Sequence, residues 1–421
     1  MTTCPSVEAG TDAHATDTAT DTARAAHPGH RDREVEADVT AGEHRAWPAI
    51  LALGLGIGAL VSSEFLPASV LPAMAGALGV SEGRAGLAVA ATALAGAVTA
   101  PSIAVVFPRT DRRTILIWLL LAATLSNLTV ALAPSFAILL VGRLVLGVAI
   151  AGYWSFAFGA GTHAMPGRDH VVSTTLALGV TLATIVGVPL ASVAADAVGW
   201  RAVFWAATVL SVLSAAAVAR TLPAVPVRPG AGLSALRRAL SHRRLMCGIA
   251  LIVLIAFGNF AAYPYIRPAI AVVAPDQTGW LLLAWGAGGV VGNLAAGRFA
   301  SRLRIVAAAA PLLLAASLVL AASAETVPVL VVAVVAWGLA FNAVPVTTQL
   351  WVTRAEPDRA ESALSLQVTA FQVAITLGSA VGGALLDSRG LASAFLVGAV
   401  AAGLAGIGFA ALPSRRGSSS R

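Results

Sequence analysis

The chain has 421 residues, of which 58% are hydrophobic and 11% charged, with a mean hydropathy of +0.84. A soluble domain is closer to half apolar and a quarter charged, so this composition excludes an ordinary soluble globular protein. The formal charge of +7 depends on arginine, because the sequence has no lysine. Cys4 and Cys247 are far apart in the chain, and we infer from them neither a disulfide framework nor a metal site.

Residues 1–46 differ in composition from the rest of the chain. They are polar and acidic and have almost no large apolar side chains, so they cannot bury a core. They also lack the basic region and the short apolar region of a secretory signal peptide. We interpret 1–46 as a disordered cytoplasmic tail, with a regulatory role as the alternative.

The remaining sequence consists of apolar blocks of about 20 residues, the length a helix needs to cross a bilayer of roughly 30 Å. Helices are expected because a lipid-exposed backbone must satisfy its own hydrogen bonds, whereas the strands of a membrane barrel are shorter and alternate in polarity. We number the predicted spans 1 to 12 in chain order. They lie near 48–70, 84–106, 114–133, 136–160, 171–195, 201–221, 245–266, 278–300, 304–323, 327–350, 362–385 and 391–412.

The spans divide into two related halves. Four positions in and after span 5 recur at a constant offset of 191 residues around span 11, namely Gly187, Asp196, Gly199 and Phe204 with Gly378, Asp387, Gly390 and Phe395. Parallel repeats of this kind occur among secondary transporters. The sequence therefore predicts an all-α membrane protein with twelve transmembrane helices in two six-helix halves. The halves are 47–221 and 245–412, with a basic linker at 222–244 and a cytoplasmic tail at 413–421.

The arginines indicate how the helices are oriented. With the N-terminus inside, 22 of the 27 arginines fall in cytoplasmic segments and 4 fall at the outer side, while Arg143 lies within a span. This asymmetry follows the positive-inside rule. We therefore expect a multi-pass protein of the inner or plasma membrane with both termini in the cytoplasm. The basic charge then reflects topology and does not indicate a nucleic-acid site.

Two motifs carry a resemblance to a known family. The stretch GRLVLGVAIAGYWS in span 4 is similar to the Arg-x-x-x-Gly motif of the major facilitator superfamily, here Arg143 and Gly147. The stretch GVTLATIVGVPLA in span 5 resembles the antiporter motif of its drug:proton antiporter branch, here Gly179, Gly187 and Pro189. The resemblance covers essentially all of 48–412 and implies the twelve-helix major facilitator fold.

Within that branch the sequence looks most similar to the purine ribonucleoside efflux pumps, through segments such as EFLPASVLPAMAGALGVSEGRAG, TDRRTILI, AWGLAFNAVPV and SLQVTAFQ. One departure concerns the loop between spans 2 and 3. The family usually has Gly-x-x-x-Asp-Arg-x-Gly-Arg-Arg there, whereas this chain has AVVFPRTDRR, with Ala104, Pro108 and Asp111 at the altered positions. By resemblance we assign a gating or packing role to Arg112 and Arg113.

Glu64 in span 1 and Arg143 in span 4 are the two charges that the sequence places clearly inside the membrane. Glu64 is about six residues from the outer end of its span, which corresponds to a depth on the order of 9 Å, and Arg143 has a similar depth. Ionisable residues in membrane helices are costly and usually functional. In the fold that the resemblance implies, spans 1 and 4 both line the central cavity of their half, so we expect the two side chains to face each other and to couple proton binding to transport. The alternative is that they only hold two helices together, or that Glu64 reaches the interface.

A cavity for a nucleoside needs flat faces for the base and hydrogen-bonding groups for its edges and ribose. Asn259 and Tyr263 are the best pair, because residues four apart share a helix face. Each of the others is individually more often a packing group. Gly187 and Gly378 are expected where the two halves meet, with plain packing as the alternative. The substrate-binding candidates are Phe65, Tyr153, Trp154, Asn259, Tyr263, Trp337, Asn342, Gln349, Gln367 and Gln372.

These observations favour a proton-coupled efflux transporter of small organic molecules, with purine ribonucleosides first by resemblance. Multidrug or sugar efflux is the alternative within the class, while an importer without antiport and a non-transporting membrane sensor are alternatives from other classes. An enzyme is not expected, because a P-loop requires a lysine and no HExxH pattern is present. We expect no metal and no cofactor. The partners are a small-molecule substrate, protons and the lipid bilayer, and the protein is expected to act as a monomer.

Overall fold

The structure, a computed structural model, describes residues 28–226, 242–356 and 360–412. Within these ranges, twelve helical segments are long and apolar enough to cross a membrane. This confirms the predicted all-helical membrane fold. In chain order the spans are Ala46–Leu78, Glu82–Ile103, Arg112–Leu132, Phe136–Ala164, Asp169–Val198, Trp200–Thr221, Arg243–Val273, Pro275–Arg298, Ala300–Ala322, Val327–Ala355, Ala363–Arg389 and Leu391–Ala411.

The first helix is longer than the sequence predicted at both ends. It is bounded by Pro28 and Leu78, and it continues through Pro67 and Pro72. Residues 28–45 are therefore helical where we predicted disorder, and they are rich in Arg, Glu and Ala, which have high helix propensity. All spans belong to the compact unit Ala46–Arg421. Residues 227–241 of the basic linker and the tail at 413–421 lie outside the described residues.

Proline interrupts the regular helix in two spans. Span 5 consists of helices Asp169–Leu182 and Val188–Val198 separated by a π-helical turn at Ala183–Gly187. Pro189 has no N–H for the carbonyl of the residue four positions earlier, so the ladder must be rearranged there. Span 7 has a 3₁₀ turn at Tyr263–Tyr265, around Pro264, between helices Arg243–Ala262 and Ile266–Val273. These interruptions lie where span 5 approaches span 8 and where span 7 carries Tyr263.

The repeat seen in the sequence is also present in the backbone. Gly199 and Gly390 directly precede spans 6 and 12 and have φ values of 89° and 84°. Residues with a side chain rarely adopt a positive φ, so both turns require glycine. Phe204 and Phe395, five residues later in each half, are both fully buried. The matched positions thus have matching structural roles.

Gly187 and Gly378 are packing positions, each within its own half. A Cβ at Gly187 would lie 2.9 Å from Oγ of Ser62 in span 1, and a Cβ at Gly378 would lie 2.6 Å from the carbonyl oxygen of Phe257 in span 7. Each glycine therefore faces the first span of its own half. These contacts support the packing alternative, in which the missing side chain lets helices approach closely inside each half. A role in the movement of the halves stays a prediction.

Contacts between the two halves include span 2 against span 11, span 5 against span 8 and span 1 against span 7. We call the membrane face formed by the joins at 79–81, 133–135, 199 and 390 the far face, and the opposite one, where most arginines lie, the arginine-rich face. Asp387 contacts the start of span 2 at the far face. Nearer mid-membrane, a Cβ at Gly286 in span 8 would lie 3.0 Å from the backbone of Ile185 in the π turn. The bundle is therefore closed between the halves at the far face.

Candidate functional site

Arg143 is completely buried and is held by backbone carbonyls of two other spans. Its Nη1 donates to the carbonyl oxygen of Ser63 at 2.7 Å, its Nη2 to that of Glu64 at 2.8 Å, and its Nε to that of Ala88 at 3.1 Å. Pro67 explains the first contact. The carbonyl of Ser63 would normally accept from the N–H of residue 67, and proline has none. The guanidinium thus satisfies a carbonyl that the helix itself leaves free.

This arrangement corrects the predicted carboxylate–guanidinium pair. Arg143 binds the main chain at Glu64, and in the described part of the chain no hydrogen bond or ion pair involves the Glu64 side chain. Glu64 is half-buried in the middle of span 1, and the next side chain, Phe65, contacts the other half. The three carbonyl oxygens give each of the three guanidinium nitrogens an acceptor, so three of its five N–H donors are bound to the backbone. The carboxylate is consequently close to the arginine but not fixed by it.

Buried polar side chains stabilise the same segment of span 1. Asn127 in span 3 donates from Nδ2 to the hydroxyl of Ser63 at 2.9 Å and to the hydroxyl of Ser211 at 3.3 Å. Ser63 in turn donates to the carbonyl of Ala59 at 2.8 Å. Spans 1, 3 and 6 are thereby joined directly beside Glu64. Interhelical hydrogen bonds of this kind are typical of membrane bundles.

The rest of the site is an aromatic cluster, and most of its rings belong to the second six-helix half. At its centre, the Tyr263 ring lies 5.4 Å from Phe65, 5.0 Å from Trp285 and 6.4 Å from Trp337 between centroids. Most pairs are edge-to-face, the arrangement that aromatic quadrupoles favour. Only Phe65 comes from the first half. The other members come from spans 7, 8, 10, 11 and 12 and are Phe260, Tyr263, Trp285, Trp337, Phe341, Phe371 and Phe395.

Four of the predicted substrate candidates come together in and beside this cluster, namely Phe65, Asn259, Tyr263 and Trp337. Trp337 donates from Nε1 to Oδ1 of Asn259 at 2.8 Å, so the two predicted residues bind each other. The sequence analysis missed Trp285, which lies in the glycine-rich stretch LLLAWGAGG of span 8. The available signal was a large aromatic residue in a glycine-rich stretch. Glycines let neighbouring spans approach closely, so a tryptophan among them is expected to be buried between helices.

The structure places the other candidates elsewhere. Tyr153 is fully buried and donates its hydroxyl to the carbonyl of Leu53 at 3.2 Å, so it belongs to the packing of the first half. Asn342 donates to the carbonyl of Gly338 at 3.0 Å. Gln367 donates from Nε2 to the Thr348 hydroxyl at 2.8 Å. Their polar groups thus bind within one half. Two further candidates, Trp154 and Gln349, are exposed and lie outside the aromatic cluster.

Gln372 differs from these residues because it reaches the other half. A Cβ at Gly96 in span 2 would collide with its Nε2, so the glutamine lies directly against that glycine. Gln367 and Gln372 therefore point to different sides of span 11, as their spacing predicted. Gln372 belongs to the contact between the halves near the membrane centre.

At the arginine-rich face, the loop with the altered motif binds its own half. Asp111 accepts from the N–H of Thr114 at 3.2 Å and from the N–H of Val225 at 2.8 Å, which ties the start of span 3 to the segment after span 6. Arg112 lies over the Phe156 ring at 4.4 Å, and Arg113 donates to the carbonyl of Ala219. Apart from Val225 at the start of the linker, these partners lie in the first half. The assigned gating role therefore remains a prediction, while the packing role has contacts to support it.

At the far face, the two repeat-related aspartates each bind the opposite half. Asp196 at the end of span 5 forms an ion pair with Arg267 of span 7. Asp387, its counterpart at the end of span 11, accepts from the Ser81 hydroxyl at 2.5 Å and from the N–H of Gly83 at 3.1 Å. We call these the far-face contacts. Charge-assisted hydrogen bonds of this type are stronger than neutral ones, so they favour the closed far face.

In the described residues, no three His, Cys, Asp or Glu side chains are grouped so that they could hold a metal ion. The site is instead built from one free carboxylate, one buried arginine and aromatic rings. Such a combination is suited to binding a proton and a flat organic molecule.

Comparison with known proteins identifies the family. The chain matches the Major Facilitator Superfamily over residues 51–273 and 245–421. Over 355 residues it is 37% identical to the purine ribonucleoside efflux pump NepI of Salmonella paratyphi B, which covers 82% of this chain and 89% of that protein. The same pump of Salmonella typhimurium has the same identity and coverage.

Solved structures share the fold at low identity. A bacterial homologue of the human lysosomal transporter Spinster, in an inward-facing and unoccupied conformation, has a TM-score of 0.71 at 15% identity and covers 87% of this chain and 96% of its own. The human organic anion transporter MFSD10 has a TM-score of 0.60 at 18% identity, with coverages of 87% and 99%. Together with the twelve spans and the repeated halves, these matches show that the chain is a multi-pass membrane transporter of small molecules belonging to the major facilitator superfamily.

Proposed function

We propose that the protein is an antiporter that exports purine ribonucleosides in exchange for protons. The observation that carries this proposal is the position of Glu64. Its carboxylate is held by no ion pair in the described residues, it lies beside the buried Arg143, and its neighbour Phe65 touches the substrate-binding side of the bundle. Proton binding at Glu64 is thereby adjacent to the contact between the halves.

The chemistry of such a carboxylate suits coupling. Burial and a neighbouring cation act on its protonation in opposite senses, so modest movements of the surrounding groups change which form is favoured. Because Arg143 binds the backbone of Glu64 and not its carboxylate, the carboxylate is free to exchange protons without breaking the arginine's hydrogen bonds. A proton bound in one conformation and released in the other then biases the equilibrium between them.

In this proposal the two halves have different roles. The first half contributes the proton-binding group, and the second contributes nearly all rings of the aromatic cluster. Stacking on aromatic faces suits a planar base. The purine ribonucleoside assignment is supported by the 37% identity to an efflux pump of that name.

The orientation is part of the proposal. The arginine-rich face is taken as cytoplasmic under the positive-inside rule, which puts both termini in the cytoplasm and the protein in the inner or plasma membrane. Since one chain supplies both the carboxylate and the aromatic cluster, we expect a monomer to be sufficient for transport.

The test uses purified protein in liposomes and labelled inosine. Counterflow, the exchange of labelled for unlabelled inosine, needs no proton transfer, whereas uphill movement under an imposed pH gradient does. Glu64→Gln is expected to retain counterflow and lose gradient-driven movement. Glu325→Gln, which neutralises an exposed carboxylate in the join between spans 9 and 10, is the matched control and should retain both.

The two assays separate the parts of the proposal. Gradient-driven movement by Glu64→Gln at the wild-type rate would exclude Glu64 as the coupling group. A wild-type protein without inosine counterflow would show that the substrate is not a nucleoside, and the efflux of drugs or sugars would then be tested.

A further inference from the structure

Three buried hydrogen-bonding groups at the aromatic cluster have no partner among the described residues. They are Nε1 of Trp285, the hydroxyl of Tyr263 and Nδ2 of Asn259. Their residues are exposed by 1%, 1% and 0%, so bulk water does not satisfy them. Buried polar atoms without a partner are uncommon in folded proteins and destabilise them. Three of them in one cluster therefore indicate a function.

The three residues that carry these groups are neighbours in space. The Tyr263 and Trp285 rings are 5.0 Å apart, and Tyr263 follows Asn259 by one helical turn, with its N–H donating to the Asn259 carbonyl. The amide of Asn259 is oriented by Trp337, whose Nε1 donates to Oδ1 at 2.8 Å. With its oxygen used in this way, the amide presents only its NH₂ group to another partner.

The chemical character of the three groups defines what they can bind. An indole N–H is a donor only, the free side of the Asn259 amide is a donor, and a phenol donates readily. The matching ligand edge is one that carries acceptors, such as a ring nitrogen next to a carbonyl oxygen. The nearby Tyr265 does not share this property, because it donates its hydroxyl to the carbonyl of Ser379 at 3.0 Å.

We propose that Trp285, Tyr263 and Asn259 are specificity-determining residues that bind the acceptor edge of a planar substrate, and that they favour a 6-oxopurine nucleoside. This inference rests on the proposed function and specifies which purine edge the site recognises. The Phe65 ring, which contacts Tyr263 from the first half at 5.4 Å, covers the cluster in this conformation. Separation of the halves at Phe65 opens the donors to the substrate.

Ligand analogues test the proposal on the wild-type protein. Unlabelled inosine, and purine riboside, which lacks the 6-oxygen, compete for counterflow of labelled inosine. We expect purine riboside to compete about tenfold more weakly, since a buried donor left without its acceptor weakens binding by that order. Equal competition by the two compounds would overturn the proposal without affecting the assignment of nucleoside transport.

Two conservative variants test the residues directly. Trp285→Phe and Tyr263→Phe each remove one donor and retain a ring, and they are expected to reduce the preference for inosine over purine riboside to about threefold or less. The matched controls are Trp205→Phe, at an exposed tryptophan, and Tyr265→Phe, whose hydroxyl already has a backbone partner. The controls should keep the wild-type preference.

The outcomes are distinguishable. If wild type exchanges inosine and both variants keep the full preference, the recognition proposal is wrong and the proposed function stands. If wild type exchanges no nucleoside, the proposed function and this inference are both wrong. If one variant does not fold, as judged by gel filtration, the other variant and the analogue comparison decide the question.

Discussion

The contact between Arg143 and the Ser63 carbonyl predicts a specific energetic coupling to Pro67. Arg143→Met removes the donor 2.7 Å from that carbonyl, and Pro67 prevents the helix from replacing it. A buried acceptor without a partner costs about 1–3 kcal/mol. Pro67→Ala restores a main-chain N–H at the position that bonds this carbonyl in a regular helix. Arg143→Met should therefore be about 1–2 kcal/mol less destabilising in the Pro67→Ala background than in wild type.

The measurement is the free energy of unfolding of wild type, both single variants and the double variant in detergent micelles. The energy of burying the guanidinium is the same in both backgrounds and cancels in the double-mutant cycle. Pro72→Ala is the control partner, since its missing N–H concerns the carbonyl of Ala68, which Arg143 does not contact. A coupling energy between Arg143 and Pro67 below about 0.5 kcal/mol, or equal to that for Pro72, would refute the argument.

Three further predictions concern packing and the far-face contacts. Tyr153→Phe should lower the free energy of unfolding by about 0.5–1.5 kcal/mol, because it removes the hydrogen bond to Leu53. The half-saturating inosine concentration in counterflow should not change, and a weaker affinity for inosine would instead indicate that Tyr153 binds the substrate. Gly292→Ala should destabilise the protein by about 1–3 kcal/mol, because the added Cβ would collide with the backbone of span 10. Gly76→Ala is the control and should not destabilise it, because a Cβ at Gly76 would have no atom within 4 Å. Equal unfolding temperatures of the two variants would contradict this prediction. Asp387→Asn should increase hydrogen–deuterium exchange of residues 81–86 by about 10- to 150-fold, since a charge-assisted contact contributes about 1.5–3 kcal/mol. Unchanged protection would mean that the aspartate does not hold the halves together.

Much of the architecture followed from local sequence properties. Hydrophobic length set the number of spans, since each block had to match the bilayer thickness. Turn chemistry set the repeat, because Gly199 and Gly390 occupy the same positive-φ position in the two halves. The candidates Asn259 and Tyr263 were paired by helical spacing, and the structure confirms that they lie one turn apart.

Contacts between spans were not predictable in this way. Arg143 and Glu64 were expected to form a pair because opposite charges attract, yet a carbonyl freed by Pro67 on the same turn of span 1 takes the guanidinium. Trp285 was missed because its ring partner, Tyr263, lies on another span, and helical spacing within one span cannot indicate such a contact. Tyr153 was a substrate candidate because it is an aromatic residue inside a span, but its hydrogen bond to Leu53 makes it a packing residue.

The sequence by itself therefore determined the number of spans, the two-half repeat and the presence of a carboxylate and an arginine inside the membrane, because these depend on hydrophobic length, backbone conformation and charge. Only the tertiary structure decided which donors meet which acceptors. That choice depends on where helices distant in the chain cross and on which carbonyls their prolines leave free. For Glu64 it decided that, among the described residues, the carboxylate has no ion-pair partner, while the neighbouring arginine binds backbone carbonyls.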